Sequence, residues 1–137
     1  MKKRIILMIF LPCYLYAEAE NVFVATKETK SCYKMTVTTA VQSCMAELAF
    51  DKETELNRVH GNFVDRLASE KDKIENYTVL ILSVEKSKIK YSEYAKSQCE
   101  IYAASMVDKS PAMHIAYNHC LVTLYEKRMK FYKDFAF

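Results

Sequence analysis

Beyond its N-terminal apolar stretch, the chain contains one glycine, Gly61, and one proline, Pro111. Nothing else in the sequence narrows the fold as much. An all-β domain reverses direction about every 8–12 residues and builds those reversals from Gly, Pro, Asn and Asp. A chain of 137 residues with so few of the first two is expected to cross its core in long helices with few turns.

The apolar pattern agrees. Val41, Cys44, Met45, Leu48, Leu56, Val59, Phe63 and Leu67 recur at three- and four-residue steps. A second stripe runs through Leu80, Val84, Tyr91, Tyr94, Gln98, Ile101 and Tyr102. A third runs through Met113, Tyr117, Cys120, Leu124 and Phe131. Each is the signature of an amphipathic helix with one face to bury. Thr39 and Gln42 have capping-box spacing, which places the start of the first long helix near Ala40. Ser110-Pro111 supplies a hydroxyl cap, then a residue whose missing N–H is not needed there. The charged stretch 69–76 reads as the link between the first two helices. The expected fold is all-α: a small antiparallel bundle of three main helices, stapled by two disulfides.

The N-terminus reads as an export signal. Lys2, Lys3 and Arg4 precede an apolar run from Ile5 to Tyr16, and Ala17-Glu18-Ala19 provides small residues two apart. The run is short of the ~20 apolar residues a membrane-spanning helix needs, so no stable span is expected after cleavage. Ala17 and Ala19 are both acceptable last residues of the leader. The expected organisation is a signal peptide over 1–19, an irregular arm over 20–31 and a helical domain over 32–137. The leader takes three of the 20 basic residues with it and leaves 17, against 17 acidic residues in the whole chain. The mature net charge is therefore 0 or +1, depending on whether Glu18 is also removed. No global field remains to draw in nucleic acid or an anionic membrane.

Cys13 leaves with the leader. Cys32, Cys44, Cys99 and Cys120 remain. An even number in a small exported domain indicates a disulfide framework, with three possible connectivities. Cys32 and Cys44 would lie roughly 18 Å apart on one continuous helix, whereas bonded cysteines have Cα atoms about 5.5 Å apart. Their pairing requires the chain to double back near Thr36–Thr39. Cys99 and Cys120 stand almost equidistant from Lys109, so an antiparallel helix pair turning there brings them level.

Four sequence pieces then occur in order. Cys32 and Cys44 enclose eleven residues. Glu55-Leu56-Asn57 is followed by Val59. Ser87 and Tyr91 lead to Cys99. Cys120-Leu121 is followed by Leu124, Glu126 and Arg128. On these pieces the chain resembles the lysozyme inhibitor LprI-like family of bacterial envelope proteins over nearly all of residues 32–134. The resemblance implies pairing Cys32–Cys44 and Cys99–Cys120. The family signature falls here on Glu55, Leu56, Asn57, Tyr91, Leu121, Leu124, Glu126 and Arg128. The chain departs from the family at Tyr91, often Trp, at Ala95-Lys96, often Arg-Asp, and at His60, commonly Tyr.

Catalytic patterns are weak. His114 and His119 are five apart, about 140° around a helix, and do not converge. His119 and Cys120 are sequence neighbours, which point apart on a helix. Glu47, Asp51 and Glu55 fall on one convex helix face and read as solvated surface. Asn57 and Arg128 are expected to make buried hydrogen bonds between helices. The tyrosines are expected mostly in the core, with a minority offered to a partner. No catalytic residue, metal ligand or cofactor is assigned. The resemblance implies an exported, non-catalytic protein that binds a protein partner, with lysozyme as the named target. The alternative is an envelope immunity or structural protein that binds another partner. Common lysozymes are basic, and an inhibitor of one gains from negative charge; this domain is near neutral.

Overall fold

The computed structural model describes residues 25–136; the expected signal peptide lies outside them. Four helices follow one another: α1 (Lys27–Tyr33), α2 (Thr38–Ser69), α3 (Tyr77–Ala103) and α4 (Pro111–Asp134), with a short 3-10 turn over Lys71–Lys73. There is no strand among the described residues. The fold is the expected all-α bundle of three long helices, with one short helix added.

That short helix corrects the reading of 20–31 as irregular. From Lys27 onward the chain is helical. The Thr26 side chain caps it by accepting from the Thr29 N–H at 3.1 Å, and Cys32 anchors its far end. At seven residues α1 is too short to be stable alone; it holds because Cys32 is bonded to Cys44 on α2. The chain reverses between Lys34 and Val37, as that pairing requires, and the two Cα atoms come to 5.6 Å. α2 then starts at Thr38 behind Val37, with no side-chain cap. The Thr39–Gln42 box is not used. The helix begins directly after the reversal, ahead of the residues that could have capped it.

The second disulfide joins Cys99 to Cys120 with Cα atoms 5.5 Å apart. Ser110 caps α4 as expected, its hydroxyl accepting from the Met113 N–H at 3.1 Å, with Pro111 in the first turn. The turn before it contains Lys109 at φ 53°, the one non-glycine residue with positive φ among the described residues.

α4 is the centre of the bundle. It packs on both α2 and α3, which barely meet each other. α3 runs antiparallel to α4, since Cys99 meets Cys120, Tyr91 meets Leu124 and Ser87 meets Arg128. α2 runs alongside α4 in the same direction, since Lys52 meets Glu126 and Phe63 meets Tyr132. Flanked on two sides and crossed by α1 through Tyr33 and His119, α4 is buried all round from His119 to Tyr125.

Two apolar clusters form the core. One gathers Ala49, Ala95, Cys99, Cys120, Leu121, Val122, Leu124 and Tyr125. The other gathers Val59, Phe63, Leu67, Val84, Met129 and Tyr132. Leu56 packs against both. Removing a fully buried side chain such as Leu67 or Met45, both 0% exposed, is worth about 2–5 kcal/mol. Tyr94, Ile101 and Phe131, expected in the stripes, are exposed. α3 instead buries Ala95, Cys99 and Ala103. These small residues let its backbone approach α4 closely, and the bulkier side chains beside them are left outside.

Candidate functional site

Because α2 and α3 lie on different sides of α4, a cleft opens between them with α4 as its floor. Its volume is about 390 Å³. α2 contributes Glu53, Leu56, Asn57 and His60; α3 contributes Glu85, Lys88, Ile89, Tyr91, Ser92, Glu93 and Lys96; α4 contributes Tyr125, Arg128 and Tyr132. The floor residues recur at three- and four-residue steps, as do Glu53, Leu56, Asn57 and His60, so each set occupies one face of its helix.

Arg128 is the centre of the floor. Its guanidinium carbon lies 4.8 Å from the Tyr91 ring centre, 4.8 Å from that of Phe131 and 4.7 Å from that of Tyr132. Its Nη2 donates to Ser87 Oγ at 2.6 Å, bridging α4 to α3. The Tyr91 hydroxyl donates to the Leu124 carbonyl at 2.7 Å, a second bridge between the same helices. Such cation–aromatic contacts are worth about 0.5–2 kcal/mol each.

Three polar atoms beneath the cleft are buried without a hydrogen-bond partner among the described residues: Arg128 Nε, the Tyr132 hydroxyl and His60 Nε2. Their side chains are neighbours, since the Tyr132 ring lies against both the guanidinium and, at 5.3 Å between centres, the His60 ring. Glu85 Oε1 is 3.6 Å from His60 Nε2, beyond hydrogen-bond range. Burial lowers the His60 pKa; Glu85 pulls the other way, and Lys88 and Arg128 push it further down. The Tyr125 phenol is pushed up to about 12 by burial and then by the charge of Glu53, so it stays a neutral donor.

The residues on which the resemblance rests separate into three places. Leu56, Asn57, Tyr91 and Arg128 line the cleft. Leu121 and Leu124 are core. Glu55 and Glu126 converge on Lys52 on another face, at 3.6 and 3.1 Å. Arg128 bonds between helices as expected, but at the exposed Ser87 rather than in the buried interior. Asn57 does not: it is exposed on the cleft wall, because it lies one residue past the line that Leu56 buries. Glu47 and Asp51 are exposed as expected, while Glu55 is half-buried and also faces Arg58 and Lys133.

His60 and Tyr132 belong to the site and were not singled out for it by sequence. Each stands four residues beyond a signature residue on the same helix, Leu56 and Arg128. That spacing places them on the same face and could have marked them. His119 is buried, and its Nδ1 lies 2.9 Å from the Tyr33 hydroxyl. Among the described residues no cluster of His, Cys, Asp or Glu is arranged to hold a metal ion, and no helix is long and apolar enough to cross a membrane. No family model, no curated protein and no solved structure matches this chain.

Proposed function

We propose that this protein is an exported, non-catalytic binding protein and that the cleft between α2 and α3 is its contact face. The observation that carries the reading is convergence. Leu56-Asn57 on α2, Tyr91 on α3 and Arg128 on α4, three places far apart in sequence, meet around one cleft, over buried polar atoms that have no hydrogen-bond partner among the described residues. Buried polar groups are normally satisfied, so three unsatisfied ones on adjoining side chains beneath a cleft suit it to receive a partner's polar group. The two disulfides fit an oxidising compartment, in keeping with the N-terminal export signal.

The cleft also carries carboxylates from two helices, Glu53 on α2 and Glu85 and Glu93 on α3. A glycosidase needs one such group shielded enough to hold a proton and the other ionised. The side chains of Glu85 and Glu93 are 49% and 60% exposed, and Glu93 is paired with Lys90 at 2.8 Å. Glu53 is half-buried, so the preference for binding rests on the unsatisfied polar atoms beneath the cleft and not on its carboxylates.

Lysozyme is the target that the resemblance implies. The oxidised protein is expected to slow lysozyme lysis of a cell-wall suspension at near-stoichiometric ratio; no effect at large excess removes lysozyme. Near-neutral charge and a cationic cleft floor favour the second reading, an immunity or structural role with a different envelope protein. A photo-crosslinker at Ile89 on the cleft rim is then expected to capture one envelope protein, and Arg128→Gln to abolish the capture.

A further inference from the structure

We propose that the cleft receives a carboxylate carried on an apolar stem, held by Arg128 and Tyr132. This deepens the reading of the cleft as a contact face and rests on it. Arg128 is a half-buried cation enclosed by three rings. Its only hydrogen-bond partner among the described residues is the neutral Ser87 hydroxyl, and no carboxylate of the described chain pairs with it. Its Nη2 end lies beside the exposed Ser87, so the unmet need is at the buried Nε–H, which has no acceptor among the described residues.

The unsatisfied atoms specify the group. Arg128 Nε–H can only donate, and the Tyr132 hydroxyl can donate; both need an acceptor. Tyr132 is 2% exposed and His60 4%, so neither is satisfied by bulk solvent. A planar carboxylate offers two oxygens, matches the guanidinium edge and supplies the missing charge. A neutral carbonyl would satisfy one donor and leave the cation unbalanced. A phosphate would bring up to two charges past a rim that already holds Glu53, Glu85 and Glu93; a single negative charge suits that rim better. Lys88 and Lys96, on the same rim, offset part of its acidity. Leu56, Ile89 and Tyr125 give the stem an apolar wall. The orphan atoms are shielded, so a ligand reaches them only as side chains of the rim turn aside, foremost Glu85, half exposed and 3.6 Å from His60 Nε2.

The carboxylate has two sources of the same chemistry: an acidic side chain or chain terminus of a partner protein, or a free small carboxylic acid. Isotope-labelled, oxidised protein titrated by NMR separates them. The probes are 3-phenylpropionate and its amide, and acetyl-Ala-Ala-Phe as free acid and as amide, with inorganic phosphate as competitor. Both acids are expected to shift the resonances of Tyr91, Arg128 and Tyr132, and the amides to bind at least about tenfold more weakly. Arg128→Lys keeps the charge but lacks Nε, and is expected to lose about tenfold. Tyr132→Phe is expected to weaken binding about threefold or more while its spectrum stays native. A peptide acid that outcompetes 3-phenylpropionate supports the partner-chain source; equal affinity supports the free acid. Amides that bind as well as acids, equal displacement by phosphate, or no shifts at about 1 mM acid overturn the proposal. Ile89 crosslinking that captures a partner despite such a result would leave the contact face standing and remove only its carboxylate chemistry. Acid binding without any captured partner would do the reverse.

Discussion

The Lys52 ammonium lies 3.1 Å from the Glu126 carboxylate, tying α2 to α4. The same nitrogen reaches Glu55 at 3.6 Å and Glu28 on α1 at 3.8 Å. Burial alone would lower the Lys52 pKa, but the hydrogen bond and charge of Glu126, then the charges of Glu28 and Glu55, raise it overall. The Lys52 side chain is 14% exposed, so solvent screens it less than a surface pair. Lys52→Ala leaves three carboxylates without their shared cation. A loss of about 1–2 kcal/mol is expected in urea denaturation with disulfides intact. Glu28→Gln, at a 52% exposed position, should be nearly neutral. Because the folded pKa is raised, this stabilisation is complete below about pH 10, near the unfolded lysine value, and is lost as pH rises through the folded one.

Tyr132→Phe removes a hydroxyl that is buried and has no hydrogen-bond partner among the described residues. The ring keeps its contacts with His60, Phe63 and Arg128. Removing an unsatisfied buried polar atom is neutral or stabilising, here by up to about 1 kcal/mol. A ligand-binding residue that gains stability on truncation is the expected signature of a site held for function. A thermal midpoint lower by several degrees in the variant would show that the hydroxyl has a structural partner after all.

The long elements were legible in the sequence and their inner faces only partly. Ser110-Pro111 marks the start of α4 through local chemistry, and the structure uses it. The Met113–Tyr117–Cys120–Leu124 line describes one face of a helix, but Val122 and Thr123, off that line, are as buried as Cys120. Periodicity cannot report a helix that is covered on several sides. Nor does it report a seam of alanines: Ala95 and Ala103 carry too little apolar area to register, and Ile101 beside them gives the stronger signal from the exposed side. The cleft was hidden for a related reason. Its parts come from three helices, and only their packing order around α4 brings Leu56, Tyr91 and Arg128 together.

Lys109→Gly should stabilise the protein. Lys109 turns the chain between α3 and α4 at φ 53°, where a Cβ crowds the following carbonyl by about 1–2 kcal/mol. Glycine removes that crowding but frees the unfolded chain, which costs about 0.5–1 kcal/mol. A net gain of about 0.5 kcal/mol follows. Unchanged or reduced stability by chemical denaturation would mean that the lysine side chain contributes more than its backbone costs.

His60 makes stability depend on mildly acidic pH. Burial holds its folded pKa below the ordinary histidine value. As pH falls through about 6.5 the unfolded chain takes up the proton first. Stability therefore decreases from there until the folded protein also protonates. Glu85 opposes the shift, and Lys88 and Arg128 reinforce it. His60→Gln removes the titration and should flatten the pH dependence between about pH 5 and 7. Equal slopes for the two proteins would assign the dependence to carboxylates instead.

The two disulfides should differ in how they open. Cys99 and Cys120 are both 0% exposed, inside the α3–α4 seam. Cys32 is 2% exposed, but its partner Cys44 is only half-buried. A reductant thiolate must approach one sulfur directly, so mild dithiothreitol should cleave Cys32–Cys44 while the protein remains folded. Alkylation followed by mass mapping is expected to label Cys32 and Cys44 first, with far-UV circular dichroism nearly unchanged. α1 alone then loses its tether, and stability falls by about 3 kcal/mol through the lost loop constraint. Cys99–Cys120 should be reduced only when α3 parts from α4, at the rate of global unfolding. Simultaneous labelling of all four cysteines under native conditions would mean that the seam between α3 and α4 opens far more readily than its burial implies.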